Sequence, residues 1–191
     1  MVTKRSIGIL DLQGDVALHQ QSLRELDIDP ILVKLPEQLG HIHGLIIPGG
    51  ESTVLLKLAE PLGMLPAIAS FSKNGGSIFG TCAGAILLAK NVTHPAQSSL
   101  ALIDITIKRN GYGRQLDSAE TTGKAIPRLG NELPMTFIRA PRITKIDKNV
   151  EVLATYDDDP VLVRQGKILA ATFHPELTDS NAVYDYWLGM L

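Results

Sequence analysis

The chain has 191 residues, 45% of them hydrophobic and 20% charged, which is enough for one sizeable core and needs no second domain. A net charge of −2 supplies none of the basic excess that nucleic acid or an anionic membrane would select. There is no apolar run of membrane-spanning length, no leader-like start and a single cysteine, so the expectation is one cytoplasmic domain over 1–191, without a disulfide or a thiolate-built metal site.

Short apolar runs bounded by Gly, Pro or charge predict strands at 6–12, 30–35, 44–48 and 76–79. Helical patterns lie between them. Asp15 can cap a segment that sets Val16, His19, Leu23 and Leu26 on one face, and Ser52 or Thr53 can open another through Leu55, Leu56 and Leu58. Further helices are expected at 61–74 and 83–90. Beyond residue 98 strands follow without helices, at 100–108, 135–139, 150–156, 160–164 and 167–173. A last helix is expected to begin near 178–180 and to bury Val183, Trp187 and Leu191. The alternation predicts an α/β three-layer sandwich with a mostly parallel central sheet and an antiparallel extension.

Gly80-Thr81-Cys82-Ala83-Gly84 joins the fourth strand to the apolar helix after it, with the spacing of a nucleophile elbow. Such a turn strains its central residue and demands small neighbours, and the helix N-terminus favours thiolate over thiol. A small buried hydrophobe is the plainer alternative for Cys82. A thiol that attacks an amide needs a base able to protonate the departing nitrogen, and imidazole suits both tasks. His19, His41, His43 and His94 have no acid at a spacing that would orient them. His174 ends an apolar strand, and in extended backbone Glu176 faces the same side, able to fix the ring tautomer; the alternative is a strand-end histidine beside a surface glutamate.

Pro48-Gly49-Gly50-Glu51-Ser52-Thr53 closes the third strand with a loop that is flexible by composition. Oxyanion donors in such enzymes are the N–H after the nucleophile and one from a neighbouring loop, here Ala83 and Gly50. An ordinary glycine turn capped by Ser52 is compatible with the same residues. No lysine follows at phosphate-loop spacing. Arg109 and Arg139 sit where strands meet turns, where a planar guanidinium fork can take a carboxylate. The His41-x-His43 pair has no third ligand and reads as solvated loop, so no metal site is expected.

With these residues assembled, the chain resembles the class I (triad) glutamine amidotransferases and, within them, the glutaminase subunits of pyridoxal 5'-phosphate synthase. Leu10-Asp11-Leu12-Gln13-Gly14-Asp15, Gly49-Gly50-Glu51-Ser52-Thr53, Phe79-Gly80-Thr81-Cys82-Ala83-Gly84, Gly113-Arg114-Gln115, Phe137-Ile138-Arg139-Ala140-Pro141 and Phe173-His174-Pro175-Glu176-Leu177-Thr178 carry the resemblance in order. One departure is Gly111-Tyr112, where relatives often carry serine and phenylalanine. The resemblance implies a flavodoxin-like fold and a Cys82, His174 and Glu176 triad. It implies glutamine contacts from Gly49, Gly50, Glu51, Arg109, Ile138 and Arg139, and oxyanion donors at Gly50 and Ala83. It further implies no cofactor, and a barrel-shaped synthase partner that receives ammonia and whose docking sets the oxyanion loop.

Overall fold

The computed structural model describes residues 5–111 and 118–191. In the first half, β1 (Ile7–Leu10), β2 (Ile31–Val33), β3 (Gly44–Ile47) and β4 (Ser77–Thr81) alternate with α1 (Val16–Glu25), a 3-10 turn at Pro36–His41, α2 (Ser52–Ala59) and α3 (Met64–Lys73). β1, β3 and β4 are buried along their whole length, as in a parallel sheet covered on both faces. After β4 come α4 (Ala83–Leu88), β5 (Ala89–Thr93), β6 (Ile103–Lys108), β7 (Ser118–Ala125), β8 (Glu132–Ile138), β9 (Arg142–Ile146), β10 (Glu151–Tyr156), β11 (Asp159–Gln165), β12 (Ile168–Ala171) and α5 (Ala182–Leu188).

β12 returns from the far end of the chain to lie parallel to β4, with Ala171 opposite Thr81. The main sheet therefore runs β2-β1-β3-β4-β12 in parallel and continues antiparallel through β11, β10, β7 and β8. β5, β6 and β9 form a separate three-stranded sheet. The two-residue period of each strand divides the core. Leu45, Ile47 and Ile78 face a cluster with Leu55, Ile68 and Leu88 on one side, while Ile46 and Phe79 face Leu23, Tyr184 and Trp187 on the other. That is a three-layer sandwich, each buried aliphatic side chain stabilising it by roughly 1.5–3 kcal/mol.

Several boundaries differ from the sequence-based expectation for identifiable reasons. α4 ends at Leu88 instead of continuing to residue 90, because Ala89–Thr93 pairs with β6 and Lys90 Nζ donates to Asp104 at 2.8 Å. α3 begins at Met64, three residues late, after a turn in which Gly63 adopts φ 67°. β7 and β9 were not expected at all. Their sequences carry too few apolar residues to show a strand period, and pairing with β8 and β6 supplies what local pattern lacks. The last helix starts at Ala182. No single helix among the described residues is long and apolar enough to cross a membrane.

Candidate active site

Parallel pairing sets the C-terminal ends of β1, β3, β4 and β12 side by side, so the segments around residues 13–15, 48–51, 82 and 174 converge at one edge of the sheet. Cys82 holds φ 45° and ψ −100°, a conformation costly for any residue with a Cβ. The flanking glycines make it feasible. A Cβ on Gly84 would overlap the Ile47 carbonyl, and one on Gly80 would lie 2.6 Å from Leu88 Cδ1. The Cys82 N–H donates to the Ala171 carbonyl at 2.8 Å, which ties the turn to β12. Cys82 is 7% exposed at the floor of a cavity of about 380 Å³. At six residues α4 is shorter than expected, and an imidazole lines the same cavity as the thiol.

That imidazole belongs to His174, 3% exposed, whose backbone N–H donates to the Thr136 carbonyl on β8 at 2.8 Å. Its Nδ1 lies 2.7 Å from Glu176 Oε1. The expected pairing is there, but not by the expected route: Pro175–Leu177 forms a 3-10 turn, so Glu176 reaches back under the ring instead of along a strand. Burial disfavours the charged ring, but hydrogen bonds with Asp15, Cys82 and Glu176 outweigh it and push the His174 pKa up to about 12.

Asp15 does not cap α1 through its side chain, as the sequence suggested; its Oδ2 lies 3.4 Å from His174 Nδ1. The hydrogen bond from His174 is the main cause holding the Asp15 carboxyl below its usual range. His174 is thus a ring between two carboxylates. Among the described residues these three are also the group whose donor atoms, all within 4.8 Å of one another, could share a cation, and a protonated ring between two acids gives the same short contacts.

His19, set aside on sequence for want of a neighbouring acid, meets one through the fold. It is fully buried on α1, with Nε2 at 3.6 Å from Glu176 Oε2 and 3.2 Å from Thr81 Oγ1, and Nδ1 at 2.7 Å from the Tyr184 hydroxyl. Burial above all, and then the charge of His174, holds its pKa below the usual imidazole value.

The cavity also brings together Gly50, Glu51, Arg109, Ile138 and Arg139, all anticipated, and Ser52, Ile86 and Asn110, which were not. Gly49 and Glu176 lie behind His174: a Cβ on Gly49 would sit 2.5 Å from its Cε1. The glycine loop is more tightly held than its composition suggests. The Glu51 N–H donates to Gln13 Oε1 at 3.1 Å and the Asp15 N–H to the Gly49 carbonyl at 3.3 Å. Glu51, not Ser52 or Thr53, caps α2, accepting from the Thr53 backbone N–H at 3.4 Å and from its hydroxyl at 2.7 Å, while Ser52 Oγ donates to Gln97 at 3.0 Å. The Thr53 bond is the main cause lowering the Glu51 pKa, with Arg109 and Arg139 adding to it, and Arg109 Nη2 lies 3.3 Å from Glu51 Oε1. Tyr112 and the Gly113-Arg114-Gln115 motif lie outside the described residues.

A nearly buried thiol on a strained turn, facing an imidazole that a carboxylate orients, suits nucleophilic attack on a carbonyl carbon with proton delivery to the leaving group. Comparison with known proteins narrows the carbonyl. A family model described as the SNO glutamine amidotransferase family matches residues 9–191. The pyridoxal 5'-phosphate synthase subunit PdxT of Thermotoga maritima is 50% identical over 186 residues, covering 97% of this chain and 98% of its own. Its counterpart in Solibacter usitatus is 48% identical over 192 residues, covering 98% and 100%. A crystal structure of a glutamine amidotransferase superposes with a TM-score of 0.90 at 41% identity, covering 96% of this chain and 97% of the other. PurLQS from Thermotoga maritima shares the fold at a TM-score of 0.72 and 16% identity, covering 97% of each chain.

Proposed function

The chain belongs to the SNO glutamine amidotransferase family, and from that premise we propose that it is the glutaminase subunit of a pyridoxal 5'-phosphate synthase. It hydrolyses L-glutamine to L-glutamate and ammonia and hands the ammonia to a barrel-shaped synthase subunit, all 191 residues serving as one amidotransferase domain in the cytoplasm, where a lone thiol stays reduced. The observation that carries the chemistry is His174, fixed by Glu176 at 2.7 Å and lining one cavity with Cys82 on its strained elbow.

The Cys82 sulfur attacks the side-chain amide carbon of glutamine, and the carbonyl oxygen takes the negative charge. N–H groups of Gly50 and Ala83 receive it. As the C–N bond breaks, the His174 proton passes to the departing nitrogen, which leaves as ammonia, and a thioester remains on Cys82. His174, now neutral, takes a proton from water as that water adds to the thioester; collapse releases glutamate and restores the thiolate and imidazolium. Arg109 and Arg139 donate to the substrate α-carboxylate, backbone at Ile138 lines its path, and Glu51 meets the α-ammonium. In the free subunit Glu51 already engages Arg109, so substrate enters by exchanging one carboxylate partner of the guanidinium for another.

Ammonia protonates in water, so direct delivery to a partner conserves the nucleophile. Because Gln13 and Asp15 hold the glycine loop in the free chain, partner docking sets its productive orientation. Glutamate release is measured with and without the matching synthase subunit. Stimulation of about tenfold or more is expected. Equal turnover in both would remove the docking step, and stimulation by an imidazole-forming synthase instead would overturn the assignment.

A further inference from the structure

Glu176 has two oxygens, and the mechanism uses one. Oε1 takes the His174 proton bond, while Oε2 is buried with no hydrogen-bond partner among the described residues. An orphaned carboxylate oxygen in a dry site is costly, and nothing on that side fixes the carboxylate that orients His174. Packed against the 175–177 turn are α1, which carries His19, and β8, while Thr81 at the end of β4 and Tyr184 on α5 both contact His19. Of these groups, His19 brings a nitrogen to 3.6 Å from Oε2.

Its tautomer follows from its surroundings. The Tyr184 hydroxyl, whose pKa burial above all raises further, keeps its proton and lies 2.7 Å from His19 Nδ1, placed to donate to it. The fully buried ring is neutral, so its single proton sits on Nε2. That N–H points between Thr81 Oγ1 at 3.2 Å and Glu176 Oε2 at 3.6 Å. Thr81 immediately precedes the nucleophile. We infer that His19, set by Tyr184, is a positioning residue that spans Thr81 and the free oxygen of Glu176, keeping the elbow and the orienting carboxylate in register. This rests on the glutaminase reading of the same site, and it adds a buried layer of polar partners behind the triad.

The test uses the complex reconstituted with the synthase subunit, with glutamate release as the readout. His19→Leu, similar in size but without a donor, is expected to lower kcat by about 10- to 100-fold with KM within about twofold, since no substrate group touches it. His19→Gln, which can place an N–H where Nε2 stood, should restore kcat to within about fivefold of wild type, a rescue that packing alone would not give. Tyr184→Phe frees the tautomer and should lower kcat by about three- to tenfold. Wild-type kcat in His19→Leu, or an equal loss in the Leu and Gln variants, overturns the inference. If His19→Leu does not fold, Tyr184→Phe decides: an unchanged kcat overturns it. Cys82→Ala is run beside them. Glutamate release that survives in Cys82→Ala sinks the glutaminase reading, whereas loss there with a normal His19→Leu sinks only the role of His19.

Discussion

Two hollows lie at opposite edges of the same parallel strands. One, of about 380 Å³, opens where β3, β4 and β12 end; the other, of about 490 Å³, opens where they begin, lined by His43, Phe71, Gly76 and Lys167 among others. The larger is the chemically quieter. Of its lining residues only Gly75 holds a positive φ, whereas Gly50, Cys82, Asn110 and Arg139 do so around the smaller. His174 and Asp15 at the smaller hollow are strongly coupled, and no pair of that kind lines the larger among the described residues. Strain and coupled titratable groups, not volume, separate a working site from a gap between elements.

Removing the nucleophile is the strongest way to sharpen that contrast. Cys82→Ala should reduce glutamate release in the complex by at least about 10³-fold while leaving the fold intact, since alanine is smaller and the side chain is not part of the core packing. Circular dichroism and thermal unfolding check the second half. Gly84→Ala attacks the strain instead. Its Cβ would overlap the Ile47 carbonyl, so α4 must move away from β3, at about 1–3 kcal/mol and with a fall in Tm of about 2–4 °C per kcal/mol. Because Cys82 rides on the N-terminus of α4, activity should fall about tenfold or more at temperatures where the variant is still folded. A variant that loses stability yet keeps full activity would show that the elbow tolerates displacement.

The same contrast explains what could be read without a structure. The elbow was legible because its constraint is local: glycines two residues either side of Cys82 report the space that β3 and α4 leave. The pairing of His174 with Glu176 was legible from adjacency, although the turn that achieves it was not. Asp15 and His19 were visible only as helix residues, because the acid or base that each one meets lies at the other end of the chain and β12 must first be inserted beside β4. The parallel core strands announced themselves as apolar runs. β7 and β9, polar on their outer faces, depend on their neighbours, and no local signal marks them.

A subtler variant tests the electrostatic part of the difference. Asp15→Asn keeps the shape but removes one of the three groups that hold the His174 proton. The sign follows directly. The carboxylate raises the His174 pKa, so without it the imidazolium deprotonates at lower pH and the alkaline limb of kcat/KM moves toward neutrality. The alkaline limb should move down by about one unit, while activity below about pH 7 stays within about twofold. An unshifted alkaline limb would mean that Glu176 and Cys82 hold the proton without help.

The smallest effect is expected at the opposite edge. Lys167 is exposed beside the larger hollow, at the start of β12, the strand whose other end delivers His174. If the two edges are independent, Lys167→Ala leaves kcat/KM in the complex within about twofold and stability within about 0.5 kcal/mol. The measurement is sharper for being made with the synthase subunit present. A lost stimulation would show that β12 transmits an event from its start to its end, and the quiet hollow would then be part of the working site.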